Sequence, residues 1–168
     1  AKDVPVNEYG LIINDQPVLC GPGSTKEGTD IVRFEGDQVA LVVAESVEIA
    51  EKAISLIQVE YQDLPIVNTL GEALKDDAFL LHPGRVSNIF HHNVVRLGNV
   101  EEAFKACDVI IEGEYQTPVQ EHAYLQPEAG VAFLDEEKRI TVVVGGQWTH
   151  EDQEQIAHAL GLEPEKIR

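Results

Sequence analysis

A short apolar, β-branched run followed at once by an amphipathic helix constrains this chain more than any other feature. Gln38-Val39-Ala40-Leu41-Val42-Val43-Ala44 has the length and composition of a buried strand. Ser46 then offers a hydroxyl to cap a helix in which Ala50, Ala53, Ile54 and Ile57 recur at i, i+3, i+4 and i+7. Glu48, Glu51 and Lys52 fall on the opposite, solvent side. Val59-Glu60-Tyr61-Gln62 alternates as a second strand, and Leu64-Pro65 stops it. A β-α-β unit is therefore expected here, which places the chain among folds that mix helix and sheet.

The remaining elements are shorter. Residues 1 to about 30 are rich in turn formers and read as irregular, and Gly21-Pro22-Gly23-Ser24 is no phosphate loop because no Gly-Lys-Ser/Thr follows. Thr69-Leu70-Gly71-Glu72 has the form of a capping box, and Asn99-Val100-Glu101-Glu102 opens a second short helix by the same logic. The stretch from His82-Pro83-Gly84 to Asn93 carries Pro, Gly and Asn without periodicity and reads as a linker. Val109-Ile110-Ile111-Glu112-Gly113-Glu114-Tyr115-Gln116 is a further expected strand. Ala129 to Leu134 and Ile140 to Val144 predict a hairpin around Asp135-Glu136-Glu137-Lys138. Thr149 is expected to cap a last helix, with Asp152 at its third position and Gly161 closing it.

Charge excludes several functions. The 168 residues carry 30 acidic against 12 basic side chains, a formal net charge of −18. Such a surface repels phosphate backbones and anionic lipid, so nucleic acid and membrane surfaces are disfavoured partners. No apolar run approaches the roughly 18 residues of a membrane span. Cys20 and Cys107 lie far apart with no Cys-x-x-Cys spacing, which suggests neither a disulfide framework nor a thiolate metal site. A cytoplasmic location is the corresponding expectation.

Two segments could carry chemistry. Gly145-Gly146-Gln147-Trp148 lies between the second hairpin strand and the last helix. Paired glycines let backbone approach a ligand, a helix N-terminus supplies free N–H groups, and a Gln amide both donates and accepts. An ordinary strand-to-helix turn with an exposed Gln fits the same residues. Gln120-Glu121-His122-Ala123-Tyr124-Leu125, with Glu128 beyond it, gathers an amide, an imidazole and carboxyls at a strand end, either to shape a site or to support the hairpin. His150, Glu154 and His158 share one face of the last helix, but eight residues rise about 12 Å, too far for one ion to bridge both imidazoles. No direct metal ligand is expected, and no Ser-His-Asp or Cys-His context supports hydrolysis.

On these residues the chain resembles the large subunit of the molybdenum hydroxylases, the xanthine dehydrogenase and aldehyde oxidase family. The segment from Val39 to Ser46, the helix to Ile57 and Val59 to Pro65 are similar to the back part of that family's α/β hammerhead domain. The Gly-Gly-Gln turn, the helix from Thr149 to Leu160 and the ending Gly161-Leu162-x-Pro164-x-x-Ile167-Arg168 are similar to the first part of its molybdopterin-binding domain. The resemblance implies an α+β fold with a partial hammerhead domain over 1–75, a linker over 76–93, and the start of a mixed α/β molybdopterin-binding domain over 94–168.

It also implies roles. Gln147 would sit beside the molybdenum and hydrogen-bond an oxygen ligand, with Gly146 and Trp148 as cofactor-binding neighbours. Glu121, His122 and Glu128 would shape the site, while Gln126 stands where many members carry Glu. The intact enzyme would oxidise a heterocycle or aldehyde with water-derived oxygen and hold the molybdenum–molybdopterin cofactor. The 2Fe-2S clusters and FAD would reside on partner domains or subunits. Its partners would be the remainder of the large subunit, those iron-sulfur and flavin units, and a small-molecule substrate. The family's Gly-Gly-x-Phe-Gly-Gly turn and its late catalytic glutamate do not occur in these residues, so the chain reads as a fragment, with no catalytic residue of its own and no bound cofactor or turnover expected of it alone. The competing expectation is a non-catalytic acidic scaffold of the same fold; a divalent-cation-binding domain, suggested only by acidity, is a third.

Overall fold

In the computed structural model, which describes residues 1–82 and 84–168, four α-helices, a two-stranded sheet and a 3-10 turn are formed. Pro83, placed in the linker by sequence, lies outside the described residues. The chain divides into two compact units, one of residues Ala1–Asn88 with Glu128–Arg168 and one of Ile89–Pro127.

In the first unit, helix α1 spans Val47–Ile54, and Ser46 caps it by accepting the Ile49 N–H. It stops one turn before Ile57, where Ser55 takes over and its hydroxyl donates to the Lys52 carbonyl. Helix α2, Leu70–Ala73, carries the expected capping box in full: Thr69 accepts the Glu72 N–H while the Glu72 carboxylate accepts the Thr69 N–H. Those hydrogen bonds hold the Glu72 carboxyl below the ordinary carboxylate range, the Thr69 hydroxyl contributing most.

The segments flanking α1 depart from expectation. Residues 38–44 and 59–62 run outside any hydrogen-bonded strand. A strand exists only through its ladder, and among the described residues no neighbouring segment supplies one to them. Their side chains stay uncovered, Leu41 at 78% and Val43 at 88% exposure.

The hairpin forms where the sequence predicts it. β1, Gly130–Leu134, pairs antiparallel with β2, Ile140–Val144, with Gly130 opposite Val144 and Leu134 opposite Ile140. Asp135 builds the turn. Its carboxylate accepts the backbone N–H groups of Glu137 and Arg139, each at 2.9 Å, and the Arg139 Nε–H at 2.9 Å. Lys138 takes the left-handed conformation that closes the turn.

Helix α4, Thr149–Leu160, follows β2, and Gly161 ends it with φ +65°, the left-handed region that favours glycine. Trp148, not Thr149, occupies the N-cap position, and its side chain makes no cap hydrogen bond. The chain then turns through Pro164–Lys166 and returns alongside β2, where Ile167 bridges Ile140 in parallel. Arg168 donates its N–H to the Ile140 carbonyl and accepts that of Val142. Gln153 of α4 pins the return, its side-chain amide donating to the carbonyls of Pro164 and Ile167. Among the described residues Ala157, Ile167 and Cys20 are the buried apolar ones, Ala157 on α4 and Ile167 on the segment that returns to β2.

Those N-terminal turns are irregular, as expected, but braced. Asn7, 2% exposed, donates Nδ2–H to the Leu19 carbonyl at 2.8 Å and accepts the Leu19 N–H at 2.9 Å. One side chain thus closes the loop between them as a strand would. The second unit contains α3, Val100–Lys105, capped by Asn99 through the Glu102 N–H as its sequence predicts. The expected strand from Val109 to Gln116 finds no ladder there and forms no strand. Among the described residues no helix is long and apolar enough to cross a membrane.

Two outcomes test these braces. Asn7→Ala strands both backbone groups of Leu19 and should lower unfolding free energy by about 1–3 kcal/mol in urea titrations. Asp135 is held below the ordinary carboxylate range, chiefly by the Arg139 backbone N–H. A group with a lowered folded pKa adds stability above its unfolded value, near 4, and loses it as pH falls through the folded one. The stability gap between wild type and Asp135→Asn, followed by thermal melts, should therefore close on acidification below about pH 4.

Candidate functional site

β2 delivers Gly145 and Gly146 directly to the N-terminus of α4, and Gln147 and Trp148 form the turn between them. All four are exposed, Trp148 by half of its surface. Gly146 lies close to a side chain of the helix: a Cβ at this position would stand 2.5 Å from Asp152 Oδ2, so that carboxylate would have to move aside. The Asp152 carboxylate thus rests against the backbone of the turn. Sequence reasoning saw Asp152 only as a helix-start residue. Its spacing to Gly146 across an uncapped N-terminus was the available signal.

Glu151 and Asp152 both lie in the first turn of α4. Their negative charge offsets the partial positive charge of the helix end, so the turn offers hydrogen-bonding groups with little net attraction for an anion. Gln147 presents a neutral amide there, with two N–H donors and one carbonyl acceptor. Glu128 belongs to the same end of the hairpin, because Gly130 faces Val144 and the residues before one and after the other leave the ladder together. The structure therefore brings Glu128 towards the Gly146–Trp148 turn within one compact unit.

Glu121 and His122 belong to the other unit, Ile89–Pro127. There the Glu121 carboxylate accepts the N–H groups of His122 at 2.9 Å and Ala123 at 3.3 Å. Ala123 adopts φ +53°, a left-handed conformation that costs a non-glycine residue about 1–2 kcal/mol. With Ala123 so turned, the rings of His122 and Tyr124 stack, centroids 5.6 Å apart and planes within 7°. Sequence reading singled out Glu121 and His122 but not the stacked Tyr124 or the strained Ala123, because residues at i and i+2 show their ring geometry only once φ is known.

The other candidates fall elsewhere. His158 contacts Glu8 instead of sharing a ligand with His150, and His91 Nε2 lies 2.7 Å from Asn93 Oδ1. Among the described residues no group of three or more His, Cys, Asp or Glu is placed to hold a metal ion. An open groove of about 880 Å³, lined by Val39, Tyr61, Ile66 and Phe79 among others, includes none of Glu121, His122, Glu128, Gly146, Gln147 and Trp148. It records the uncovered extended segments beside α1.

Comparison with known proteins agrees with this layout. The family model described as "Molybdopterin cofactor-binding domain" matches residues 81–168. That described as "Aldehyde oxidase and xanthine dehydrogenase, a/b hammerhead domain" matches residues 1–65. A probable xanthine dehydrogenase subunit of Bacillus subtilis (strain 168) is 41% identical over 168 residues, 99% of this chain and 21% of that protein. The nicotinate dehydrogenase large molybdopterin subunit of Eubacterium barkeri is 35% identical, covering 96% of this chain and 36% of its own length. The aldehyde oxidoreductase of Desulfovibrio gigas superposes with a TM-score of 0.82 at 26% identity, over 99% of this chain and 18% of that one. The chain therefore spans only 18% to 36% of the length of these three proteins. Two successive family matches in one order, over an α+β fold shared with a solved aldehyde oxidoreductase, establish that the chain belongs to the molybdenum hydroxylases, with part of a hammerhead domain leading into a molybdopterin-binding domain.

Proposed function

We propose that this chain contributes the first part of a molybdopterin site to an oxidoreductase that oxidises a heterocycle or aldehyde with oxygen from water. One observation carries the reading: an exposed Gly-Gly-Gln turn leads from β2 into α4 inside the stretch matched to the molybdopterin-binding family. The relatives named for xanthine, nicotinate and aldehydes support the substrate class. In this proposal residues 1–75 belong to the hammerhead domain, 76–93 link it onward, and 94–168 begin the molybdopterin-binding domain.

The residues present fit such a group. Gly146 and Gln147 are exposed, and Gln147 supplies a neutral donor-acceptor amide suited to an oxygen ligand. Gln147 would hold and orient that oxygen by hydrogen bonding; an amide has no titratable proton near neutral pH and would not be the base. Trp148 and Gly146 border it. Glu128 shapes the same hairpin end, while Glu121 and His122 shape the second segment through the left-handed turn at Ala123. When bound, the molybdenum–molybdopterin group supplies the redox chemistry, and the protein supplies orientation and exclusion of competing reactions.

Electrons would leave through 2Fe-2S and flavin units on partner domains or subunits, and the remainder of the large subunit would complete the cavity. The free cysteines Cys20 and Cys107 support a reducing, cytoplasmic setting.

In the enzyme carrying this chain, Gln147→Ala should lower turnover by on the order of 10²-fold, the scale of one lost oxygen-stabilising donor. Molybdenum content and melting temperature should hold, since the side chain is exposed. Unchanged turnover with full cofactor would favour the non-catalytic scaffold instead. The 168-residue chain alone should bind no molybdenum and show no substrate-dependent dye reduction; metal-loaded, dye-reducing chain would overturn that expectation.

A further inference from the structure

We propose that the groove beside α1 receives a β-strand from the part of the subunit outside these 168 residues, and that this strand supplies the ladder both flanking segments lack. The proposal rests on the reading of the chain as one portion of a larger subunit.

The groove, about 880 Å³ in volume, is lined by residues 31–33 and 39–40 from before α1 and by residues 59–68 from after it. All of them belong to one compact unit. Among the described residues the two stretches pair neither with each other nor with another segment, and residues 39–44 and 59–67 make no backbone hydrogen bond. Only Pro65 among them has no N–H to offer. Their composition is nonetheless that of laddered backbone, since Val39, Val42, Val43, Val59, Ile66 and Val67 are β-branched. Side chains that a sheet would cover stand in water, Tyr61 at 63% and Ile66 at 78% exposure. Unpaired N–H and C=O groups beside an apolar groove are what strand addition uses. The main chain of the incoming strand supplies hydrogen bonds, and its alternate side chains enter the groove.

Exposed area decides between a second copy of the chain and the rest of the subunit. The chain exposes 15391 Å² of accessible surface. A folded chain of 18.5 kDa exposes about 8,200 Å². A standard interface covers about 800 Å² on each partner, and large obligate ones about 1,000–2,500 Å². One further copy would therefore leave most of the excess uncovered. A partner that reaches several faces is needed, and the matched proteins have chain enough to supply it, because this one spans only 18% to 36% of their length. The groove also sets the character of the strand. Asp30, Glu60 and Asp63 outnumber Arg33 among its lining residues, which favours Lys or Arg over Asp or Glu at the strand's polar positions.

Hydrogen exchange and cross-linking in the enzyme carrying this chain test the proposal together. The amides of residues 39–44 and 59–64 should exchange about 10²-fold or more below their intrinsic rates. Exchange there at intrinsic rates would overturn the proposal. The source of the ladder is read by a photo-reactive p-benzoylphenylalanine placed at Tyr61 and, in a second variant, at Ile66, both exposed lining residues. Irradiation should join at least one of these positions to a peptide from outside the 168 residues in which apolar and polar side chains alternate. Cross-links that all fall within residues 1–168, of the same copy or of another, would overturn the proposal even with the amides protected, and so would the absence of any cross-link at both positions. Neither position belongs to the Gly146–Trp148 turn, so failure here leaves the reading of that turn, tested by Gln147→Ala, untouched.

Discussion

The return of the chain onto β2 after α4 is the constraint on which the ordered part of the first unit depends. Ile167 and Arg168 pair with Ile140 and Val142, which converts a marginal two-stranded hairpin into a three-segment edge with a helix across it. Gln153 makes that return specific. Its amide spans the carbonyls of Pro164 and Ile167, so helix and returning segment are fixed by hydrogen bonds as well as by burial of Ala157 and Ile167. The position of the Gly-Gly-Gln turn follows from this arrangement, because that turn is merely the link between two elements already held.

Local signals in the sequence translated well wherever the stabilising partner was also local. Ser46, Thr69 and Asn99 cap the helices that their spacing predicts, and the Asp135 turn joins the two strands expected on either side of it. Caps and tight turns close within three or four residues, so adjacent residues determine them. The strands around α1 and at 109–116 were legible as composition but not as structure, since a ladder needs a partner from elsewhere in a chain. Trp148, not Thr149, holds the cap position of α4 and makes no side-chain cap bond, so the cap signal at Thr149 did not translate.

The candidate site divides in the same manner. Gln147 and its glycines were readable because a Gly-Gly-Gln sequence between strand and helix is a local pattern. Glu128 became part of that neighbourhood only through strand register. The Glu8 carboxylate, 150 residues from His158, carried no sequence signal at all. Long-range polar contacts in an otherwise irregular segment are set by docking, and docking has no period.

Ala123 shows how one strained residue reshapes the substitution rules around it. Its positive φ is tolerated by Gly, Asn or Asp and resisted by Val, Ile or Thr, whose branched Cβ clashes in that region. Ordinary strand preference runs the opposite way. Tolerance at this position should thus invert along the extended segment: residues that usually break a strand preserve the His122–Tyr124 stack, and the usual strand formers dismantle it.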